Sequence, residues 1–168
     1  GLNYKTPKWK GFGAKFIKFG ELMTAKYADE IIVLSKNQEE YFFKKYNRET
    51  TYIPNGVDIK EILKPNIISN ELDLKKDSYI LFLSRIVPGK GLEYLIEAYK
   101  SLNLKIPLVI AGDADYVTDF QKKIQDMIDG DNRIVTTGFV NGDLLSELYS
   151  NTRLFVFPSE AEGMPMCV

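Results

Sequence analysis

The sequence of 168 residues contains no histidine and a single cysteine, Cys167. Without histidine there is no Ser-His-Asp or Cys-His nucleophile and no histidine-ligated zinc, and one cysteine allows no intramolecular disulfide. Lysine and arginine (22) nearly balance aspartate and glutamate (23), so the chain has no net positive field that would hold a nucleic acid. We therefore expect no nucleic-acid partner, and any chemistry must rest on carboxylates, Arg, Lys, hydroxyl groups and the backbone.

Long hydrophobic runs are also missing. The longest, such as residues 79–83 and 108–111, have the length of strands and fall short of the roughly 20 residues that cross a bilayer. We predict no transmembrane helix and no signal peptide. Because the chain starts at Gly1 and stops in an apolar stretch at residues 165–168, we expect a piece of a longer protein.

From about residue 28 onward, short runs of Ile, Val, Leu and Phe alternate with helical patterns. This alternation is typical of an α/β fold in which parallel strands are joined by helices. Residues 63–78 are mixed and charged, which predicts a loop or a short connector, and Ser35 with Gln38 forms a capping-box pattern. The predicted strands are 30–34, 51–53, 79–84, 107–111, 134–137 and 154–158, and the predicted helices are 38–46, 91–102, 119–128 and 143–150. Leu92, Leu95, Ile96, Tyr99 and Leu102 share one face of the second of these helices, so we expect them to pack on the sheet.

The first 28 residues differ in character. Phe12, Phe16, Phe19 and Met23 recur at helical spacing, and five lysines precede the first acidic residue, Glu21. This pattern predicts a basic amphipathic helix. Two interpretations are open: the aromatic stripe packs into a further part of the protein, which is the more usual role, or it contacts an anionic membrane surface or acceptor.

Ligands of parallel α/β sheets gather at the carboxyl ends of the strands, so residues there are the first candidates for a site. Residues 84–91 (SRIVPGKG) leave a buried strand and enter a helix. Gly89 and Gly91 allow backbone N–H groups to approach a ligand, the helix N-terminus favours anions, and Arg85 and Lys90 add positive charge. The loop is neither a Walker A motif nor a GxGxxG motif. Its residues predict either a phosphate site or an ordinary strand-to-helix turn in which the glycines serve the turn and the cations are solvated.

Three further strand ends carry weaker signals. Asp113 and Asp115 could hold a divalent cation, but no neighbouring residue supplies further ligands, so we predict no metal site. Gly138 permits a close backbone approach, either in an ordinary turn or against a nucleotide base. Two carboxylates follow the last strand in residues 157–163 (FPSEAEG), and such residues are usually solvated.

Taken in order, these stretches resemble the nucleotide-sugar half of a GT-B glycosyltransferase of family 4. The resemblance rests on residues 28–35 (ADEIIVLS), 53–58 (IPNGVD), 84–92 (SR through KGL), 110–113 (IAGD), 137–140 (TGFV) and 157–165 (FPS through EGMP). It implies a Rossmann-like parallel sheet with flanking helices, incomplete at its C-terminal end. It also implies two segments: residues 1–28 as the tail of an acceptor domain and residues 29–168 as the donor domain.

The resemblance implies a role for each matching residue. Arg85, Lys90 and Glu162 are the implied catalytic residues: the two cations bind the departing diphosphate, and Glu162 contacts hydroxyls of the donor sugar. The other implied donor-binding residues are Gly89, Gly91, Asn55, Gly56, Asp113, Gly138, Phe139, Val140, Gly163, Met164 and Pro165. The segment 138–140 would lie against the base, whereas Asn55 and Gly56 would serve first as a turn. The family's second glutamate, on the ribose, would fall beyond Val168.

As an expectation, the parent protein transfers a sugar from a nucleoside-diphosphate donor to a carbohydrate or lipid-linked hydroxyl acceptor, with retention and without a bound metal or other cofactor. The resemblance implies a cytoplasmic enzyme of polysaccharide or glycoconjugate synthesis, at the inner face of the membrane if its basic helix contacts lipid. The opening Gly1-Leu2-Asn3 and Trp9 point to a rhamnosyltransferase-like branch. The fragment itself should have little activity. Alternatives are a nucleotide-sugar epimerase of GT-B build and a non-catalytic nucleotide-binding or membrane-binding module.

Overall fold

The computed structural model describes residues 11–58, 61–113, 119–160 and 162–167. These residues form two compact units, the first made of residues 11–58 with 162–167 and the second of residues 61–113 with 119–160. The domain boundary predicted at residue 28 stays a prediction.

The first unit contains two helices and a pair of short parallel strands. Helix α1 spans Phe12–Tyr27, strand β1 Ile32–Val33, helix α2 Lys36–Tyr46 and strand β2 Thr51–Tyr52, and β1 pairs with β2. Ser35 is the N-cap of α2 and its Oγ accepts a hydrogen bond from the Gln38 N–H at 3.4 Å, which confirms the predicted capping. A small core of Ala25, Ile31, Val33 and Phe42 joins α1, α2 and β1.

The second unit is built on a four-stranded parallel sheet. Its elements are helix α3 Ile67–Leu72, strand β3 Ile80–Leu83, helix α4 Leu92–Ser101, strand β4 Leu108–Ala111, helix α5 Asp119–Ile128, strand β5 Ile134–Gly138, helix α6 Gly142–Asn151 and strand β6 Leu154–Phe155. The strand order is β5-β4-β3-β6, and every pairing is parallel. The predicted α/β architecture is confirmed.

The sheet of this unit is covered on both faces. Phe82, Ile96 and Ile110 belong to one buried cluster, and Leu81, Val109 and Leu148 belong to the other. Neighbouring residues of one strand thus point into opposite clusters, because successive side chains of a strand alternate. This explains why β3 and β4 are apolar throughout, as expected for strands buried on both faces.

Two details of the prediction are wrong. Residues 63–78 include helix α3, whose N-terminal N–H groups of Asn66 and Ile68 are bound by the Glu147 carboxylate at 2.9 and 3.1 Å. Leu102 is 53% exposed, since α4 ends at Ser101 and the extended backbone of Leu102 takes its side chain out of the helical stripe. Among the helices of the described residues, none combines the length and apolar character needed to span a bilayer.

Candidate active site

The loop between β3 and α4, residues 84–91, carries both predicted cations of the phosphate site. Arg85 is exposed two residues after the end of β3, and the Lys90 Nζ lies 5.4 Å from the centroid of the Phe157 ring. Gly91 is the N-cap of α4 in the left-handed conformation, and it supplies no side-chain hydrogen bond to the helix. The N-terminal N–H groups of α4 therefore retain their capacity to bind an anion next to Lys90.

The β3–α4 loop is bound to the end of the adjacent strand β4. The Ser84 N–H donates to the Ala111 carbonyl at 3.1 Å, and the Ile86 N–H donates to the Asp113 carbonyl at 3.0 Å. Gly112, with φ +133°, lies so close to this loop that a Cβ there would be 1.8 Å from the Ser84 carbonyl oxygen. Any side chain at position 112 would separate the two strand ends.

A cleft of about 440 Å³ opens where the carboxyl ends of β3, β4 and β5 meet. It is lined by Leu83, Ser84, Arg85, Gly112, Asp113, Phe139 and Val140. Three of the four strand ends singled out in the sequence thus border one cavity. Leu83, Ser84 and Gly112 were not among the predicted donor-binding residues, although Ser84 opens the loop 84–91 and Gly112 lies in the stretch 110–113.

Phe139 and Val140 play different structural parts at this cleft. Phe139 is 74% exposed, whereas Val140 is buried in the core beneath α6. Gly138, with φ +68°, turns the chain at the end of β5, and its carbonyl accepts a hydrogen bond from the Gly112 N–H at 2.8 Å. Only the Phe139 ring offers a large apolar surface to a ligand from this segment.

Asp113 contributes a carboxylate to the same cleft. Its Oδ1 accepts a hydrogen bond from the Gln121 Nε2 at 3.2 Å, which orients the side chain from helix α5. The other predicted metal candidate, Asp115, lies outside the described residues. Within the described part of the chain, no three His, Cys, Asp or Glu side chains come together as metal ligands would.

The remaining predicted site residues belong to the first unit. The Asn55 N–H lies 3.2 Å from the Met164 sulfur, and its Nδ2 donates to the Met164 carbonyl at 3.5 Å. Gly56, Glu162 and Gly163 are exposed, and Pro165 is half-buried. The turn at Asn55 and the segment 162–165 are therefore neighbours, although 109 positions separate Asn55 from Met164.

A second cleft, of about 430 Å³, lies beside α2 and β2 in the first unit. Lys36, Arg48, Glu39, Glu40 and Glu49 line it together with Phe43 and Thr50. Because three carboxylates face two cations, this cleft has no uniform positive charge for a diphosphate. The cleft at the strand ends of the second unit remains the better candidate site.

Comparisons with known proteins identify the family of the chain. Residues 64–168 match the family described as "Glycosyl transferases group 1". An uncharacterized glycosyltransferase of Methanocaldococcus jannaschii is 28% identical over 163 residues, which are 89% of this chain and 41% of that protein. The chain thus spans less than half the length of that relative.

Solved structures share the fold. The Anabaena protein HepE in complex with UDP-glucose superposes with a TM-score of 0.72 and 21% identity, over 89% of this chain and 43% of HepE. Sucrose-phosphate synthase from Thermosynechococcus elongatus gives a TM-score of 0.77 and 23% identity, over 99% of this chain and 44% of the synthase. The family match covers most of the chain, including the four-stranded parallel sheet and the cleft at its strand ends, so the chain belongs to the group 1 glycosyl transferases.

Proposed function

We propose that this chain is the donor-binding half of an enzyme that transfers a glycosyl group from a nucleoside-diphosphate sugar to a hydroxyl acceptor. The observation that carries the proposal is the cleft at the carboxyl ends of β3, β4 and β5, with Arg85 on its wall and Lys90 at the N-terminus of α4. Two cations beside helix N–H groups suit a diphosphate, and an adjoining aromatic surface suits a base.

The two cations act on the leaving group. When the bond between the sugar C1 and the diphosphate oxygen breaks, the bonding electrons stay on the diphosphate and its negative charge rises. Arg85 and Lys90 stabilise that charge at fixed positions, so they bind the transition state more strongly than the ground state. The acceptor hydroxyl oxygen forms the new bond to C1, and its proton passes to the oxygen of the departing diphosphate. We propose retention of the anomeric configuration, as the family resemblance implies.

The other residues of the cleft would bind the remaining parts of the donor. The exposed Phe139 ring offers a face on which a base can stack, with Gly138 and Val140 supplying backbone groups beside it. Asp113 is an acceptor of hydrogen bonds, so it suits hydroxyl groups better than phosphate. Because HepE was solved with UDP-glucose, uridine diphosphate is the first nucleotide to test.

From the family resemblance alone, we also propose Glu162 as an acceptor of hydrogen bonds from sugar hydroxyls, and the backbone of Gly163, Met164 and Pro165 as further donor contacts. The acceptor, a carbohydrate or a lipid-linked sugar of polysaccharide synthesis, would be bound chiefly by parts of the parent protein outside this chain. No metal is needed in this scheme, because Arg85 and Lys90 supply the positive charge. We therefore expect EDTA to leave donor binding unchanged.

Calorimetric titration with UDP, GDP, dTDP and ADP tests the donor site. We expect one diphosphate to bind best, and the double variant Arg85→Ala/Lys90→Ala to lose about tenfold or more in affinity, as expected when charge-assisted hydrogen bonds are removed. The matched control is Lys76→Ala/Arg153→Ala, two exposed cations at the opposite, amino ends of β3 and β6. Equal loss in both double variants, or no binding by the chain, would contradict the proposal.

An acceptor requirement separates transfer from epimerisation. Full-length parent protein should consume the nucleotide sugar only when an acceptor is present. Conversion of the donor sugar without any acceptor would instead support the epimerase alternative.

We also propose that α1 brings the parent protein to an anionic membrane surface. Phe12, Phe16 and Phe19 are 84, 69 and 58% exposed on one helical face, flanked by the exposed Lys15 and Lys26. The acidic residue of α1, Glu21, is buried on the opposite face. Aromatic rings between lysines, without an exposed carboxylate, complement anionic lipid.

Vesicle sedimentation tests this membrane contact. Parent protein should sediment with vesicles that contain anionic lipid, and less so at high salt or after Phe12→Ser/Phe16→Ser. Absent sedimentation would mean that another part of the parent protein covers the face, and equal sedimentation with neutral vesicles would refute the preference for anionic lipid.

A further inference from the structure

The segment that follows β6, residues 157–160, lies along the β3–α4 loop, with each residue touching it or α4. The Lys90 Nζ stands over the Phe157 ring, and the Pro158 carbonyl faces Gly91. The Gly89 carbonyl accepts two hydrogen bonds, one from the Ser159 Oγ at 3.2 Å and one from the Glu160 N–H at 3.0 Å. The shape of the cationic loop therefore depends on this segment.

Tyr94 connects the same segment to helix α4. It lies in the first turn of the helix, and its hydroxyl donates a hydrogen bond to the Glu160 Oε1 at 3.0 Å. The Tyr94 side chain is 53% exposed and belongs to no buried cluster, so its packing does not explain this geometry. Glu160 thus makes two contacts: its carboxylate binds Tyr94 of α4, and its backbone N–H binds the Gly89 carbonyl.

We propose that Tyr94 is a positioning residue of the phosphate site: through Glu160 it holds residues 157–160 against Gly89, and so fixes the backbone of residues 89–91 and the place of Lys90. This inference rests on the proposed function of that site. Nothing in the sequence pattern singles out Tyr94, which is an exposed residue on a helix.

The loop needs such an external restraint because of its glycines. Gly89 and Gly91 have φ values of +88° and +74°, and glycine loses more conformational freedom on being fixed than any other residue. Hydrogen bonds from outside the loop limit the conformations that it samples before a ligand arrives. When the loop already has its ligand-bound conformation, less conformational entropy is lost on binding, and the affinity is higher.

The ionisation of the pair agrees with this geometry. The hydrogen bond to Glu160 and the charge of that carboxylate raise the pKa of Tyr94. The phenol therefore keeps its proton, and remains a donor, across the neutral pH range.

Four variants test the positioning role. Tyr94→Phe removes only the hydroxyl, Glu160→Ala removes the acceptor, and Glu160→Gln keeps an acceptor oxygen. The matched control is Tyr27→Phe. It also removes the hydroxyl of an exposed tyrosine, but Tyr27 belongs to the first unit, whereas Tyr94 belongs to the second. We expect Tyr94→Phe and Glu160→Ala each to weaken the best-bound nucleoside diphosphate about threefold to tenfold, as for one lost hydrogen bond, at an unchanged melting temperature.

The pattern across variants separates positioning from general stability. Glu160→Gln should bind like the original chain, and the double variant Tyr94→Phe/Glu160→Ala should be no weaker than either single variant, since both remove one interaction. Additive losses, or equal affinity in Tyr94→Phe and the original chain, would overturn the proposal while leaving the donor site intact.

Hydrogen exchange of the ligand-free chain provides a readout that needs no nucleotide. Amides of residues 85–91 should exchange faster in Tyr94→Phe than in Tyr27→Phe, while those of β4 stay the same. Unchanged exchange in residues 85–91 would overturn the proposal. Faster exchange in a chain that binds no diphosphate would instead refute the proposed function, and would reduce Tyr94 to a structural residue.

Discussion

Gly91 lies so close to Pro158 that a Cβ at position 91 would stand 2.1 Å from the Pro158 carbonyl oxygen. That oxygen belongs to the backbone, so it cannot rotate away as a side chain could. The N-terminus of α4 and the segment after β6 therefore approach at a distance that only glycine permits. Gly130 has nearly the same φ, +73°, but open space around its Cβ position.

This pair of glycines yields a matched experiment. Gly91→Ala and Gly130→Ala share the strain of a left-handed residue, about 1 kcal/mol, but only Gly91→Ala adds the collision. We expect Gly91→Ala to lower the melting temperature clearly more than Gly130→Ala and to weaken diphosphate binding. Equal melting temperatures for the two variants would show that the segment after β6 can move away from a Cβ at position 91 without loss of stability.

Glu21 joins α1 to α2 through one carboxylate oxygen. Its Oε1 accepts hydrogen bonds from the Tyr46 hydroxyl at 2.6 Å, the Tyr41 hydroxyl at 2.7 Å and the Lys45 Nζ at 2.8 Å. Burial acts to raise the pKa of Glu21, but the hydrogen bonds from Lys45, Tyr46 and Tyr41 outweigh it, so the pKa lies below the ordinary value of 4.5. The folded state therefore favours the ionised form.

The sign of this shift fixes a pH dependence. A folded-state pKa below the unfolded value stabilises the protein above pH 4.5, and this contribution is lost as the pH falls below it. We expect Glu21→Gln to lower the free energy of unfolding at pH 7 by on the order of 2 kcal/mol, because hydrogen bonds to a charged group are lost. Denaturant unfolding at pH 7 and below pH 4 should show the difference shrinking.

The control for Glu21 is Glu40→Gln, an exposed glutamate on α2 that pairs with Lys44. Exposed ion pairs contribute little, so this variant should unfold like the original chain. A Glu21→Gln deficit that stays constant down to low pH would mean that packing rather than charge holds α1 to α2.

Glu147 stabilises α3 from a distance along the chain. Its buried carboxylate accepts the N–H groups of Asn66 and Ile68, so Glu147→Ala would leave two amides without that acceptor. We expect a loss on the order of 3 kcal/mol in unfolding free energy, and a smaller loss for Glu147→Gln, which keeps an acceptor oxygen. Urea unfolding beside Glu97→Ala, an exposed glutamate of α4, measures both; a loss no larger than that of Glu97→Ala would contradict this role.

These elements show what the sequence could and could not predict. The strands and long helices follow from periodicity, and the carboxyl ends of parallel strands meet in any such sheet, so Arg85 and Asp113 were predictable neighbours. Helix α3 was missed because its stability depends on Glu147, 79 positions after Ile68. The contact between Tyr94 and Glu160 was likewise invisible, since a pairing of exposed polar side chains leaves no periodic pattern.

The sequence analysis assigned Phe139 and Val140 to one segment, but substitutions at the two positions should have different effects, one on ligand affinity and the other on stability. The Phe139 side chain is 74% exposed at the cleft, so Phe139→Ala should leave the melting temperature unchanged while weakening the best-bound diphosphate, since stacking on a base contributes about 1–3 kcal/mol. Val140 is 8% exposed in the core, so Val140→Ala should cost about 1–2 kcal/mol of stability, as small core truncations do. Calorimetry and thermal unfolding of both variants give the two readouts. Full affinity in Phe139→Ala would mean that the base binds through the backbone of this segment, and the exposed ring would then have no part in donor recognition.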